Sequence, residues 1–233
     1  FAMSSHVEQE YFGHVARIGK AVSNSHRINL LYYLAQCERS VENLASLACL
    51  SIANTSQHLQ SLRHAGLVTS RKEAQHVHYR LTDDDAIVKL LLALQQLGMG
   101  RIGEVGRLFE THFAPEEEYA PESKEVFLKC VEDGTLIVVD VRPTEEFNAG
   151  HLAGAINIPL DILENEHERL PSNRCVIVYC RGQYCFMSQD AVRRLRQNGI
   201  EAKRLRQGLP ELRMEGYPVV NSRGDQGVIQ AAM

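Results

Sequence analysis

The chain has 233 residues, 44% of them hydrophobic and 23% charged, and a net charge of −4 at pH 7, a balance typical of a soluble globular protein. It contains no run of 18 apolar residues and no basic segment followed by an apolar one at its start, so we expect neither a membrane span nor secretion. Six scattered cysteines exclude a disulfide scaffold and favour the reducing cytoplasm.

The first hundred residues have the apolar spacing of successive helices. A helix through Leu31 and Leu34 comes first, and a second, with Ser40 as its N-cap, contains Leu44. A third contains Ile52, Leu59 and Leu62 on its apolar side and ends at Gly66, which we expect in the left-handed conformation.

The period then changes from helical to alternating. Residues 67–71 and 76–81 alternate like two strands around a turn at 72–75, which predicts a β-hairpin. Residues 82–85 cap an apolar helix over 86–97, and the apolar spacing predicts that helical structure continues to about His112. The stretch 113–121, with two prolines and three successive glutamates, is predicted to be a linker.

The second half has the pattern of an α/β domain. Residues 136–140 and 175–180 are continuous apolar runs, which are typical of strands buried in a parallel sheet. Helices are predicted around them, one capped by Ser123 and one over 188–198. The fold class is therefore α/β, with a mostly α-helical N-terminal domain over 10–112 and a C-terminal α/β domain over 122–225.

Residues 40–68 have the layout of a helix-turn-helix, in which the second helix has a polar side. Base edges in a major groove can be read there by Asn54, Ser56, Gln57 and His58. Arg71 and Lys72 in the hairpin are placed for phosphate or minor-groove contact. Residues 1–100 carry 9 lysines and arginines against 8 acidic residues, so this half lacks the acidic excess of the rest.

The string SVENLA, followed by NTSQHLQSLRHAGLV and a hairpin, resembles the ArsR/SmtB family of winged helix-turn-helix repressors over about 15–97. The resemblance implies binding to double-stranded DNA at an inverted repeat. It also implies a homodimer joined through the first and last helices, here residues 11–21 and 87–97. The leucines at 90, 91, 92 and 94 place apolar groups almost all round that last helix, which a partner would cover.

Many members of this family sense metals, but this sequence departs from both usual ligand sets. Residues 40–44 contain no thiol, and residues 86–97 contain no His, Asp or Glu. Cys37 and Cys49 are twelve residues apart and form no ligand pair. We therefore predict no metal site, no metal inducer and no cofactor.

Residues 140–159, DVRPTEEFNAGHLAGAINIP, resemble the rhodanese superfamily, and with GYPV at 216–219 the resemblance covers about 122–220. Arg142, Glu146 and His151 fall in this motif and are expected to organise the loop after the first strand. In this family a reactive cysteine follows the second strand, here Cys180, and the position of Ala191 and Leu195 implies a longer loop after it than in single-domain rhodaneses. A longer loop implies room for a larger oxyanion.

The candidate chemistry lies at the end of the second buried strand. Cys180 stands between a strand and a helix, where amide groups converge and lower the pKa of a thiol. Arg181 adds a cation that can attract an anion, and Cys185 can form a disulfide or polysulfide bridge with a modified Cys180. Tyr184 and Phe186 are expected to pack the loop.

The sequence therefore predicts a DNA-binding transcriptional regulator, as a repressor, that senses sulfane sulfur or another thiol-reactive signal through Cys180. Two alternatives stay open. One is a sulfurtransferase that uses thiosulfate or a persulfide and is carried on a DNA-binding scaffold. The other is a regulator that responds to arsenic or another oxyanion.

Overall fold

A computed structural model describes residues 2–112, 118–171 and 173–222, and the side chains from position 7 onward. The predicted linker residues 113–117 and the last predicted domain residues 223–225 lie outside this range. The chain divides into two compact units between Leu94 and Gln95. The division lies within one helix rather than at the predicted linker, and the domain boundaries 10–112 and 122–225 stay a prediction.

The first unit is mainly helical and contains a three-stranded antiparallel sheet of order β1-β3-β2. Its helices are α1 (Ala2–Val22), α2 (Ser25–Leu34), α3 (Val41–Leu47), α4 (Ile52–His64) and α5 (Asp84–Arg101), which crosses the division. Its strands are β1 (Arg39–Ser40), β2 (Val68–Glu73) and β3 (His76–Leu81).

Local signals in the first unit set the helix ends as predicted. Ser40 caps α3 by accepting the amide of Asn43 at 3.2 Å. Gly66 has φ 78°, and the amide of Leu67 donates to Leu62 O at 3.0 Å, which closes α4 in a Schellman motif. Leu59 and Leu62 are fully buried, but the expectation for Ile52 is wrong: it is 55% exposed.

Two other expectations for this region are corrected. The strands of the hairpin extend to Glu73, so its turn is Ala74-Gln75 and not 72–75. Paired residues such as Lys72 and Val77 continue the ladder to this point, which leaves two residues to turn the chain. The helix predicted to continue to His112 is interrupted at Ile102.

The second unit is an α/β layer structure around a five-stranded parallel sheet of order β4-β9-β8-β5-β7. Its strands are β4 (Glu118–Tyr119), β5 (Leu136–Asp140), β6 (His151–Leu152), β7 (Ile156–Asn157), β8 (Cys175–Tyr179), β9 (Ala202–Leu205) and β10 (Val219–Val220). Its helices are α6 (Gly103–His112), α7 (Lys124–Glu132), α8 (Thr144–Ala149), α9 (Leu163–Glu166), α10 (Phe186–Gln197) and α11 (Leu209–Met214). Strands β6 and β10 form a separate antiparallel pair.

Helices cover both faces of this sheet, which explains the continuous apolar runs of β5 and β8. Val138 and Ile177 face one core, which Phe127 of α7 and Leu212 of α11 complete. Their neighbours along the strands, such as Val178, face the opposite core with α9 and α10. The C-terminal ends of β5, β7 and β8 therefore meet at one edge of the sheet.

Candidate functional site

Cys180 lies directly after β8 at this edge, and the loop from Cys180 to Cys185 leads into α10. The Cys180 side chain is 1% exposed, and that of Cys185 is 8% exposed. The Cys180 Sγ lies 3.1 Å from Ser188 Oγ, 3.7 Å from Cys185 O and 3.8 Å from Gly182 O. The loop and the first turn of α10 therefore enclose the sulfur atom.

The surroundings of the two thiols shift their pKa values in opposite directions. Burial raises the pKa of Cys180, but hydrogen bonds from the Cys185 thiol, the Ser188 hydroxyl and the amides of Gly182 and Ser188 outweigh it and lower that pKa to about 6. The pKa of Cys185 is raised because its thiol donates to the Cys180 sulfur and because it is buried. Cys180 is thus a thiolate at neutral pH, and Cys185 stays protonated beside it.

The lowered pKa of Cys180 predicts how its rate of alkylation depends on pH. A thiol with a pKa of about 6 is mostly thiolate at pH 7, whereas a free cysteine with a pKa of about 8.5 is not. Alkylation of Cys180 by iodoacetamide, followed by peptide mass spectrometry, is expected to rise between pH 5 and 7 and to stay level up to pH 9. In the urea-unfolded chain the same peptide should show its rise near pH 8.5. A native profile that still climbs above pH 8 would contradict the assignment.

Two buried ion pairs hold the loops around the thiol. Arg181 Nη2 donates to Glu146 Oε1 at 2.6 Å, and Glu146, on α8, is fully buried. Arg142 Nη2 donates to Asp140 Oδ2 at 2.6 Å and to Gly150 O at 2.8 Å. Since Glu146 balances the charge of Arg181, this pair carries no net positive charge toward the thiol. The anion-attracting role of Arg181 stays a prediction.

The turn before α11 lies directly against the thiol loop. A Cβ added to Gly208 would stand 2.2 Å from Arg181 C and O and 2.3 Å from Gly182 N. The amide of Gly208 donates to Glu211 Oε2 at 3.1 Å. Burial, and then the charge of Cys180, raise the pKa of Glu211 to about 7, against the effect of its backbone hydrogen bonds. Only glycine at position 208 leaves space for the loop.

Aromatic side chains of the loop and of the start of α10 contact α6, which belongs to the same compact unit. The ring of Tyr184 lies edge-on to that of Phe109, with centroids 5.6 Å apart, and Phe186 lies 6.5 Å from His112. The Arg206 guanidinium stands 5.8 Å over the Phe109 ring. The expected packing role of Tyr184 and Phe186 thus includes contact with a helix outside the rhodanese motif.

The residues predicted to read DNA lie on α4. Asn54 and Gln57 are exposed and one helical turn apart, whereas Ser56 and His58 are half-buried. The His58 ring lies 5.5 Å from that of His26. Burial, and then the charges of Arg27 and His26, lower the pKa of His58, so its imidazole is neutral at pH 7.

The two predicted hairpin contacts differ in their surroundings. Arg71 Nε donates to Glu38 Oε1 at 2.5 Å, and its Nη1 donates to Glu73 Oε2 at 2.6 Å. Lys72 is exposed and makes no ion pair within the described ranges. Two carboxylates therefore balance the charge of Arg71, while Lys72 keeps its own. Their DNA contacts stay predictions.

Three contributors to the thiol site were not assigned a role there from the sequence. Ser188 was expected only as a helix residue, yet its hydroxyl contacts the sulfur. Gly208 and Glu211 were not singled out, although Pro210 and Glu211 after a glycine are a signal for a helix start. Their closeness to Cys180 is a long-range contact, which local spacing does not reveal.

Within residues 2–112, 118–171 and 173–222, no three His, Cys, Asp or Glu side chains converge as metal ligands. The prediction of a metal-independent regulator stays a prediction. None of the described helices combines the length and apolar character needed to cross a membrane.

Each half of the chain matches a known protein family. Residues 24–70 match the bacterial regulatory protein, arsR family, and residues 123–215 match the rhodanese-like domain. HTH-type transcriptional regulator Rv0324 of Mycobacterium tuberculosis is 38% identical over 88% of this chain and 89% of its own. Transcriptional activator HlyU of Vibrio cholerae is 46% identical over 31% of this chain and 68% of its own.

Among solved structures, the homodimeric winged helix-turn-helix DNA-binding domain Mb0332 (fragment 1–100) of Mycobacterium bovis is 33% identical. It covers 41% of this chain and 87% of its own, with a TM-score of 0.38. The similarity to Rv0324 over 88% of the chain and the two matched domains lead to one conclusion. The chain belongs to the ArsR family of transcriptional regulators, as a member in which a winged helix-turn-helix DNA-binding domain is fused to a rhodanese-like domain.

Proposed function

We propose that this regulator senses sulfane sulfur through Cys180 and releases its operator when Cys180 is modified. The observation that carries the proposal is the pair of buried thiols with opposite ionisation at the end of β8. The hydrogen bonds that lower the pKa of Cys180 to about 6 supply a nucleophile at neutral pH, and Cys185 stands protonated beside it. A thiolate with a neighbouring thiol is suited to react with sulfane sulfur and then to form a disulfide with that neighbour.

The proposed chemistry has two balanced steps. The Cys180 thiolate attacks one sulfur of hydrogen disulfide, HS–SH, forms an S–S bond and displaces HS⁻, which leaves a Cys180 persulfide. Cys185 then loses its proton and attacks the inner sulfur of the persulfide, so that the outer sulfur leaves as hydrogen sulfide. Together, the two thiols are oxidised to a disulfide and hydrogen disulfide is reduced to two molecules of hydrogen sulfide.

The sulfurtransferase alternative receives less support from the site. Thiosulfate is a dianion, and the cation nearest in sequence, Arg181, is paired with Glu146 inside the protein. A sulfurtransferase must also transfer the persulfide sulfur to an external acceptor. Cys185, which lies beside Cys180, would instead attack the persulfide within the protein. The same pairing of Arg181 counts against the second alternative, a sensor of arsenate-like oxyanions.

The proposal includes a dimer on an inverted-repeat operator, in the cytoplasm. An apolar stripe on α1, formed by Tyr11, Val15 and Ile18, is exposed in the single chain. These positions recur at helical spacing, as expected for a helix that pairs with a second copy. Two copies would present two α4 helices, each with Asn54 and Gln57, to two half-sites.

Helix α6 is the proposed route by which the loop influences the rest of the chain. It contacts Tyr184 and Phe186, and only Ile102 separates it from α5. A bridge between Cys180 and Cys185 changes the loop that carries Tyr184, and α6 would shift with that ring. Release of DNA then requires that the two loop states favour different positions of α5.

The test is an electrophoretic shift on the DNA upstream of the protein's own gene, with and without polysulfide. We expect polysulfide to release the wild-type protein and to leave Cys180→Ser bound, because the serine hydroxyl cannot form the persulfide. Cys175→Ser, which changes a half-buried strand cysteine of the same domain, is the matched control and should be released like the wild type.

Three results would contradict the proposal. Release of Cys180→Ser by polysulfide would place the sensor elsewhere. Release by arsenite and not by polysulfide would favour the arsenic alternative. Sustained thiocyanate formation from thiosulfate and cyanide, with no effect on DNA binding, would favour the enzyme.

A further inference from the structure

A cluster of basic side chains lies where α1, α2 and α4 meet. Arg17 and Lys20 on the last turns of α1, Arg27 at the start of α2, and Ser61 and His64 on α4 line an open pocket of about 310 Å³. None of these residues was singled out from the sequence as a DNA contact. We call this set of five residues the basic pocket.

The two arginines of the basic pocket contact backbone carbonyls. Arg17 Nη2 donates to His64 O at 2.9 Å and Arg27 Nη2 donates to Lys20 O at 2.8 Å, so both guanidinium groups bind backbone carbonyls. Within the described part of the chain, no carboxylate forms an ion pair with Arg17, Lys20 or Arg27. Arg71 of the hairpin differs, since Glu38 and Glu73 balance it. The pocket therefore has a positive charge that carboxylates do not balance within the described part of the chain.

The basic pocket adjoins the side of α4 that is predicted to read bases. Ser61 lines the pocket, and its hydroxyl donates to Gln57 O at 3.1 Å, one helical turn back. Gln57 is exposed, and Asn54 follows one turn further toward the start of the helix. A helix seated in a major groove has a row of phosphates on each side of it. Asn54, Gln57 and Ser61 recur at helical spacing, so the pocket continues the side of α4 that carries the predicted base-reading residues.

We propose that the basic pocket binds a backbone phosphate of the operator, beside the groove that α4 enters. A phosphate oxygen would accept hydrogen bonds from the Lys20 ammonium and from N–H groups of Arg17 that its single carbonyl contact leaves available. The inference rests on the DNA-binding function and is independent of sulfur chemistry. On this proposal, α1 and α2 contribute to DNA affinity through phosphate contacts, a role predicted for the hairpin from the sequence.

The test measures the salt dependence of DNA affinity. Lys20→Gln, in the full chain, is expected to reduce the slope of log K against log [salt] by about 0.9 for each phosphate that the variant no longer neutralises. Operator and unrelated DNA should weaken by the same factor, since a phosphate contact does not read sequence. Lys129→Gln, at an exposed position on α7 of the second unit, is the matched control and should leave the slope unchanged.

A second arm separates DNA from a free anion of the same chemistry. Inorganic phosphate is titrated into the wild type and Lys20→Gln in a calorimeter without DNA. Tight phosphate binding that depends on Lys20, with an unchanged salt slope, would make the pocket a small-anion site and overturn the proposal. An unchanged slope while polysulfide still releases the operator would also overturn it, and would leave the proposed sensing intact.

Discussion

Replacement of both Gln57 and His58 by alanine is expected to weaken operator binding by on the order of 1–3 kcal/mol for each base that is no longer read, which is roughly 5- to 150-fold per base in Kd. Gln57 is exposed on α4, so its amide can reach a base edge. His58 is half-buried and its pKa is lowered, mainly by burial. It therefore offers the groove a neutral ring nitrogen instead of a charge.

Fluorescence anisotropy with operator and scrambled DNA measures this effect. Gln60→Ala is the matched control, because Gln60 is also an exposed glutamine of α4 and was not assigned to base reading. The double variant should lose affinity for the operator and keep its affinity for scrambled DNA. Equal losses on the two DNAs, or the same loss in Gln60→Ala, would show that α4 does not read bases through these two positions.

Replacement of Glu146 by alanine is expected to lower the free energy of unfolding of the rhodanese-like domain by about 3–5 kcal/mol, because it leaves the buried Arg181 guanidinium without its carboxylate. For a domain of this size the unfolding temperature should fall by about 10 °C or more. Differential scanning calorimetry of the full chain would measure the shift in the transition of that domain.

Glu145→Ala provides the control, since the neighbouring glutamate on α8 is exposed while Glu146 is fully buried. It should lower the transition temperature by no more than a few degrees. Glu146→Gln, which keeps an acceptor but removes the charge, should lie between the two. If Glu146→Ala and Glu145→Ala unfold at the same temperature, then the ion pair does not hold the thiol loop.

The local elements could be predicted because their signals lie within a few residues. Ser40 and Ser123 accept the amides of Asn43 and Val126, three residues on in each case, as N-caps do. The apolar runs of β5 and β8 indicated a sheet covered on both faces. Cys180 could be placed at a strand end for the same reason, because the run stops there.

The partners of the thiol loop could not be predicted, because they are distant in sequence. Glu146 lies 35 residues before Arg181, and Gly208 lies 27 residues after it, so no spacing rule connects them. The motif indicated that Glu146 organises a loop, but not that it would neutralise the arginine assigned to bind an anion. The interruption at Ile102 was missed because the apolar spacing continues across it.

The close approach of Gly208 to the thiol loop also determines when during synthesis that loop can reach its final packing. Residues around 146, 180 and 208 leave the ribosome in that order, and the loop is held on both sides only after the last of them has docked. The groups that lower the pKa of Cys180 belong to Gly182, Cys185 and Ser188, which lie within eight residues of it and do not depend on that docking. Synthesis therefore supplies the local environment of the thiol first and the packing on the far side of its loop last.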